Sequence, residues 1–103
     1  MAGKPKQVEK VQDEEHVLDR RLGIKLRVEV WADKAGRVTR FNLAYIDPTD
    51  FARDNGRVLG YDNAHGKTHR HFRGEVTYLG DLSYEAAADA FFAEVRRVRK
   101  ETE

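Results

Sequence analysis

Ile24-Lys25-Leu26-Arg27-Val28-Glu29-Val30-Trp31 alternates without a break. Ile24, Leu26, Val28 and Val30 fall on one side and Lys25, Arg27, Glu29 and Trp31 on the other, the period of two that marks a half-buried β-strand. A strand of this kind needs an antiparallel neighbour, and the sequence supplies one at once. Ala32–Arg37 carries Asp33, Lys34 and Gly36, which is turn chemistry of hairpin length, and Val38–Asp47 resumes with Phe41, Leu43 and Tyr45 on one face. Pro48 stops that ladder.

Working outward, Thr49–Gly56 reads as a polar loop and Arg57–Asp62 as a third strand. Ala64–Thr68 reads as a hairpin loop around Gly66, and His69–Leu79 as a fourth strand with a turn or bulge at Gly74. At Ser83 the period changes. Ser83 is a good N-cap, Glu85 suits the first turn, and Ala88, Phe91, Phe92, Val95 and Val98 recur at three and four, so Tyr84–Lys100 reads as an amphipathic helix. The fold class expected is α+β: a four-stranded, mostly antiparallel meander with one C-terminal helix packed on one face. Its core should contain Leu26, Val28, Phe41, Leu43, Val58, Val76, Phe91, Phe92 and Val95.

On the other side of the opening strand, Met1–Glu15 offers only Val8 and Val11 as branched apolar residues. That is too little to repay ordering, so residues 1–22 read as a flexible or weakly helical arm, with a short helix over Asp13–Leu22. Residues 23–103 form the single domain that 103 residues allow. Charged residues make up 36% of the chain but the net charge is only +1, so any phosphate affinity must come from a local patch. The absence of cysteine removes disulfides and thiolate metal sites. With no signal core and no run of roughly 20 apolar residues, the expectation is a cytoplasmic protein without membrane association.

The chemistry is concentrated in Gly60-Tyr61-Asp62-Asn63-Ala64-His65-Gly66-Lys67-Thr68-His69-Arg70-His71. In an extended segment His69 and His71 leave the same face roughly 6–7 Å apart, a spacing that brackets one phosphate. Imidazole titrates near neutrality, so such a pair can serve as acid and base in RNA cleavage, with Asp62 orienting one ring. Tyr61, Asn63, His65, Lys67, Arg70 and Arg73 are the candidate substrate contacts. This reading makes RNA the partner and needs no cofactor and no metal. Two others stand beside it: a metal-dependent enzyme in which His65 or Asp62 joins the His-x-His pair, and a non-catalytic interaction module using the open sheet face around Trp31.

The same residues carry a resemblance. Gly60–Asn63, then Gly66–Lys67, then His69–His71, preceded by Phe41–Asn42–Leu43–Ala44–Tyr45 and followed by an amphipathic C-terminal helix, resemble the TumE family of small bacterial toxin–antitoxin proteins over roughly Ile24 to Arg99. The resemblance implies a growth-inhibiting toxin whose partner is a helix-turn-helix antitoxin.

Overall fold

A computed structural model describes residues 8–101. They form one six-stranded antiparallel sheet in the order β1 (Val8–Asp19), β2 (Ile24–Asp33), β3 (Val38–Ile46), β4 (Arg57–Asp62), β5 (Thr68–Phe72), β6 (Glu75–Gly80), followed by helix α1 (Tyr84–Glu101). The class is α+β, but the sheet has six strands where four were expected. Each extra strand has its own cause.

The first is β1. Residues 8–19 are neither a flexible arm nor a helix, and the helix expected over Asp13–Leu22 is instead strand and turn. They pair with β2 from Val8↔Asp33 to Asp19↔Ile24. Apolar burial does not hold them there, since almost every position is exposed. Backbone pairing does, together with charge pairs onto β2: Lys10 to Glu29 at 2.7 Å, Lys25 to Glu15 at 3.0 Å and Arg27 to Asp13 at 3.1 Å. The turn back into β2 is closed by Asp19 Oδ1, which accepts the Leu22 N–H at 3.0 Å. Residues 1–7 of the expected arm lie outside the described residues.

The second extra strand arises because His69–Leu79 folds back on itself. Arg73 (φ 46°) and Gly74 (φ 84°) form a two-residue hairpin between Phe72 and Glu75, with both central residues in the left-handed region that such turns demand. Arginine is an unusual occupant there. Three contacts hold it: its N–H donates to the Val58 carbonyl at 2.8 Å, its guanidinium grips Asp50 at 2.9 and 3.0 Å, and it lies 4.6 Å from the Phe72 ring centroid.

The core lies between one sheet face and α1, which crosses β3 and β4. Val28, Val30, Phe41, Leu43, Tyr45, Leu59, Tyr61, Ala87, Phe91, Val95 and Val98 are buried there. Tyr61 meets Phe91 edge-on at 6.2 Å and Phe41 meets Tyr84 at 5.4 Å. Ser83 caps the helix as expected, its Oγ accepting the Ala86 N–H at 3.1 Å. Three expected core residues differ. Leu26 is half-buried against the cluster, Phe92 is 36% exposed on the outer side of α1, and Val76 is 59% exposed because the Arg73–Gly74 hairpin turns it onto the uncovered face.

Phe91→Ala should therefore cost about 3–5 kcal/mol of unfolding free energy, whereas Val76→Ala should stay within about 0.5 kcal/mol of the parent. Chemical denaturation of the two variants measures both.

Candidate functional site

Alternation along β4 and β5 sorts the chemistry-bearing residues onto two faces. Tyr61 and Arg70 are cross-strand partners on the helix side, and both reach Glu94 of α1. Arg70 binds it through Nε at 2.9 and 3.2 Å and also through Nη2, while the Tyr61 hydroxyl donates to the same carboxylate. Burial pushes the Glu94 carboxyl up, but the bonds from Arg70 and Tyr61 outweigh it, and the net shift is downward. Burial, then the Glu94 bond, raises the Tyr61 phenol to about 12. Two expected substrate contacts thus lie on the helix side, Tyr61 buried and Arg70 half-buried.

Asp62, His69 and His71 occupy the opposite, open face, as the two-residue spacing required. His71 Nε2 lies 2.9 Å from Asp62 Oδ2, and His71 Nδ1 lies 3.2 Å from Arg57 Nη2. Arg57 also stands 3.7 Å from Asp62 and 2.7 Å from Asp54. Its arrival depends on two local features. A bulge between Tyr45 and Ile46 sets Arg57 opposite Ile46 while Leu59 remains opposite Tyr45, which turns the Arg57 side chain toward the open face. Gly60 then leaves room for it, since a Cβ there would stand 2.9 Å from Arg57 Cδ. The sequence reading missed Arg57 because strand alternation alone puts it with Leu59 and Tyr61.

His69 is held differently. Its Nδ1 lies 3.0 Å from the Lys67 carbonyl, an acceptor, so Nδ1 donates there and in the neutral ring the lone pair lies on Nε2. Among the described residues nothing else bonds to it. The ring packs against Tyr78 at 5.5 Å, and the loop residue His65 stands 6.5 Å away at 87°. Together with Trp31, Arg40, Asn42 and Asp62, these imidazoles line a cleft of about 680 Å³. Trp31 is half-buried between Lys10 and Arg40, whose cations lie 5.1 and 4.9 Å from its ring centroid. Glu29 at the edge of the cleft binds Lys10 and, at 3.0 Å, Asn42; these bonds, the Lys10 bond foremost, hold its carboxyl below the ordinary range.

The remaining expected contacts are committed elsewhere. Asn63 pins β3 to the end of β4, accepting the Phe41 N–H at 2.8 Å and donating to the Thr39 carbonyl at 3.2 Å. Lys67 pairs with Asp81, and Arg73 with Asp50. Asp62 closes the loop and reaches a histidine at once, since Oδ1 accepts the Ala64 N–H at 3.1 Å while Oδ2 meets His71. Among the described residues no three histidine, aspartate or glutamate side chains converge as a metal ion would require.

Comparison with known protein families, characterised proteins and solved structures finds no match to this chain. No described helix is long and apolar enough to cross a membrane.

Two tests follow from this geometry. Glu94, its pKa lowered in the fold, contributes stability that is present above the unfolded carboxyl value of about 4.3 and lost as pH falls through the folded value. Arg70→Met removes the foremost of the bonds that oppose burial and leaves the Tyr61 bond, so thermal midpoints recorded against pH should begin to fall at higher pH than in the parent. In Gly60→Ala the new methyl must displace the Arg57 side chain while the backbone, at negative φ, tolerates alanine. The ¹⁵N shift of His71 Nδ1 should then report loss of its Arg57 contact, with the circular dichroism spectrum unchanged.

Proposed function

We propose that this protein is an RNA-directed, metal-independent nuclease of the toxin type, working in the cleft on the open sheet face. The observation that carries the reading is the bond of His69 Nδ1 to the Lys67 carbonyl, which in the neutral ring leaves Nε2 as the base, beside a second imidazole, His65. In the proposed reaction His69 Nε2 takes the proton of a ribose 2′-hydroxyl, and the 2′-oxygen attacks phosphorus. The 5′-oxygen leaves with a proton from His65, giving a 2′,3′-cyclic phosphate and a 5′-hydroxyl. Arg40, a cation lining the cleft without an acidic partner among the described residues, is placed to neutralise charge developing on the phosphoryl oxygens.

The pairing differs from the expected His69 and His71. Both His71 nitrogens are engaged, by Asp62 and Arg57, so we assign His71 and Asp62 to positioning. On the TumE resemblance carried by Gly60–Asn63, Gly66–Lys67 and His69–His71, we further propose a cytoplasmic toxin held in check by a helix-turn-helix antitoxin. A second reading, a protein-interaction module, is favoured by one observation: Val76 and Tyr78, 59% and 63% exposed, stand on the same face as the histidines.

Growth, RNA integrity and folding measured together on the parent, His69→Ala, His65→Ala and the double variant distinguish the two. Each single change should lower cleavage by about 10²–10⁴-fold, with little further loss in the double variant because acid and base act as one unit. Chelator should leave the parent rate unchanged. A parent that is not toxic and cuts no RNA would leave the interaction module standing.

A further inference from the structure

We propose that the outer edge of β1 is a docking strand for an extended, lysine- or arginine-rich segment of a partner protein, which joins the sheet as a seventh strand. Among the described residues β1 is bonded only to β2, so along its other side a row of backbone N–H and C=O groups faces away from the sheet. Val8, Val11 and Val17 stand exposed on the same strand. An open edge of this length is a template for strand addition, in which main-chain bonds give affinity and side chains select the partner.

The charge of β1 selects among occupants. Val8–Asp19 holds five acids and one lysine. Register shifts between Lys10 and Gln12 and between Val17 and Asp19 bound a regular stretch, residues 12–17, and Asp13, Glu14 and Glu15 are consecutive within it. A second copy pairing antiparallel with that stretch places carboxylate opposite carboxylate, which is unfavourable. The other free edge, β6, offers Glu75 and no cation, so head-to-tail addition between copies is no better matched.

A basic segment is matched. Asp13 and Glu15 already share Lys10, Arg27 and Lys25 on the open face. Glu9 and Glu14 lie opposite Ala32 and Val28 on the helix-side face, and among the described residues neither has a lysine or arginine partner. Cations of the incoming strand would meet these two carboxylates, while its apolar residues cover the exposed valines. The charges that repel a second copy are the ones that admit the basic strand.

The probe is a blocked, fluorescently labelled octapeptide with three consecutive lysines flanked by valine and threonine, with its glutamate counterpart as control. The lysine peptide should bind, weaken with salt and slow amide exchange in residues 12–17. Glu9→Lys/Glu14→Lys should weaken binding at least about tenfold, and Glu75→Lys on the opposite edge should not change it. Circular dichroism establishes that each variant is folded. The proposal is overturned by failure of the lysine peptide to bind, by equal binding of the two peptides, or by protection confined to β6 or α1. Unchanged affinity in the double variant, or self-association of the chain alone with residues 12–17 protected, overturns it equally. None of these outcomes bears on RNA cleavage.

Discussion

The orientation of β5 rests on one charged contact. The strand reads Thr68-His69-Arg70-His71-Phe72, and hydrophobic alternation does not say which face it should bury. A slip of one residue would carry His69 and His71 beneath the helix and Arg70 into the open, because strand side chains change face at every step. The bond of Arg70 to Glu94, seconded by the Tyr61 hydroxyl, ties the odd-one-out cation to α1. Thr68 and Phe72 follow it to that side, with the Thr68 hydroxyl donating to the Leu82 carbonyl at 2.8 Å and Phe72 packing on the core. A structural ion pair on one face thereby presents the imidazoles on the other. Removing one partner would leave a half-buried charge uncompensated, a larger loss than the net worth of the pair.

What the sequence disclosed follows the strength of its apolar signal. Ile24–Trp31 and the Ser83-capped helix were legible because buried positions recur there at a clear period, and residues 24–33 and 84–101 are strand and helix. β1 was not, since its order comes from cross-strand charges and backbone bonds that no local composition announces. A turn or bulge at Gly74 was legible, but not a full two-residue hairpin with Arg73 also left-handed, because arginine is not a turn signal and its grip on Asp50 comes from more than twenty positions away. Val76 was misplaced in the core because Gly74 was read as an interruption within one strand, whereas it separates two.

At the site, alternation put His69 and His71 on one face, where the structure has them with Asp62, and by the same alternation Arg70 lies on the other face with its cross-strand partner Tyr61. What alternation cannot give is the bulge at Tyr45 and Ile46, which breaks the parity of β4 at its first residue and delivers Arg57 to the histidines. That one irregularity changes the chemistry of His71. A ring meant to exchange protons becomes one whose two nitrogens are both engaged, and the freer imidazoles are those nearest the loop.

The sheet runs in simple sequence order, every strand beside its chain neighbour, and the helix that covers it comes last. As the chain leaves the ribosome, hairpins can zip one after another with short loops to close, which favours rapid assembly. The apolar face of Phe41, Leu43, Tyr45 and Leu59 is built by the strands alone, and Phe91 and Val95 of α1 must dock to shield it. A chain with its hairpins formed and α1 undocked carries a bare apolar sheet, and it is in that partly folded state, rather than in the folded protein, that aggregation has its opening.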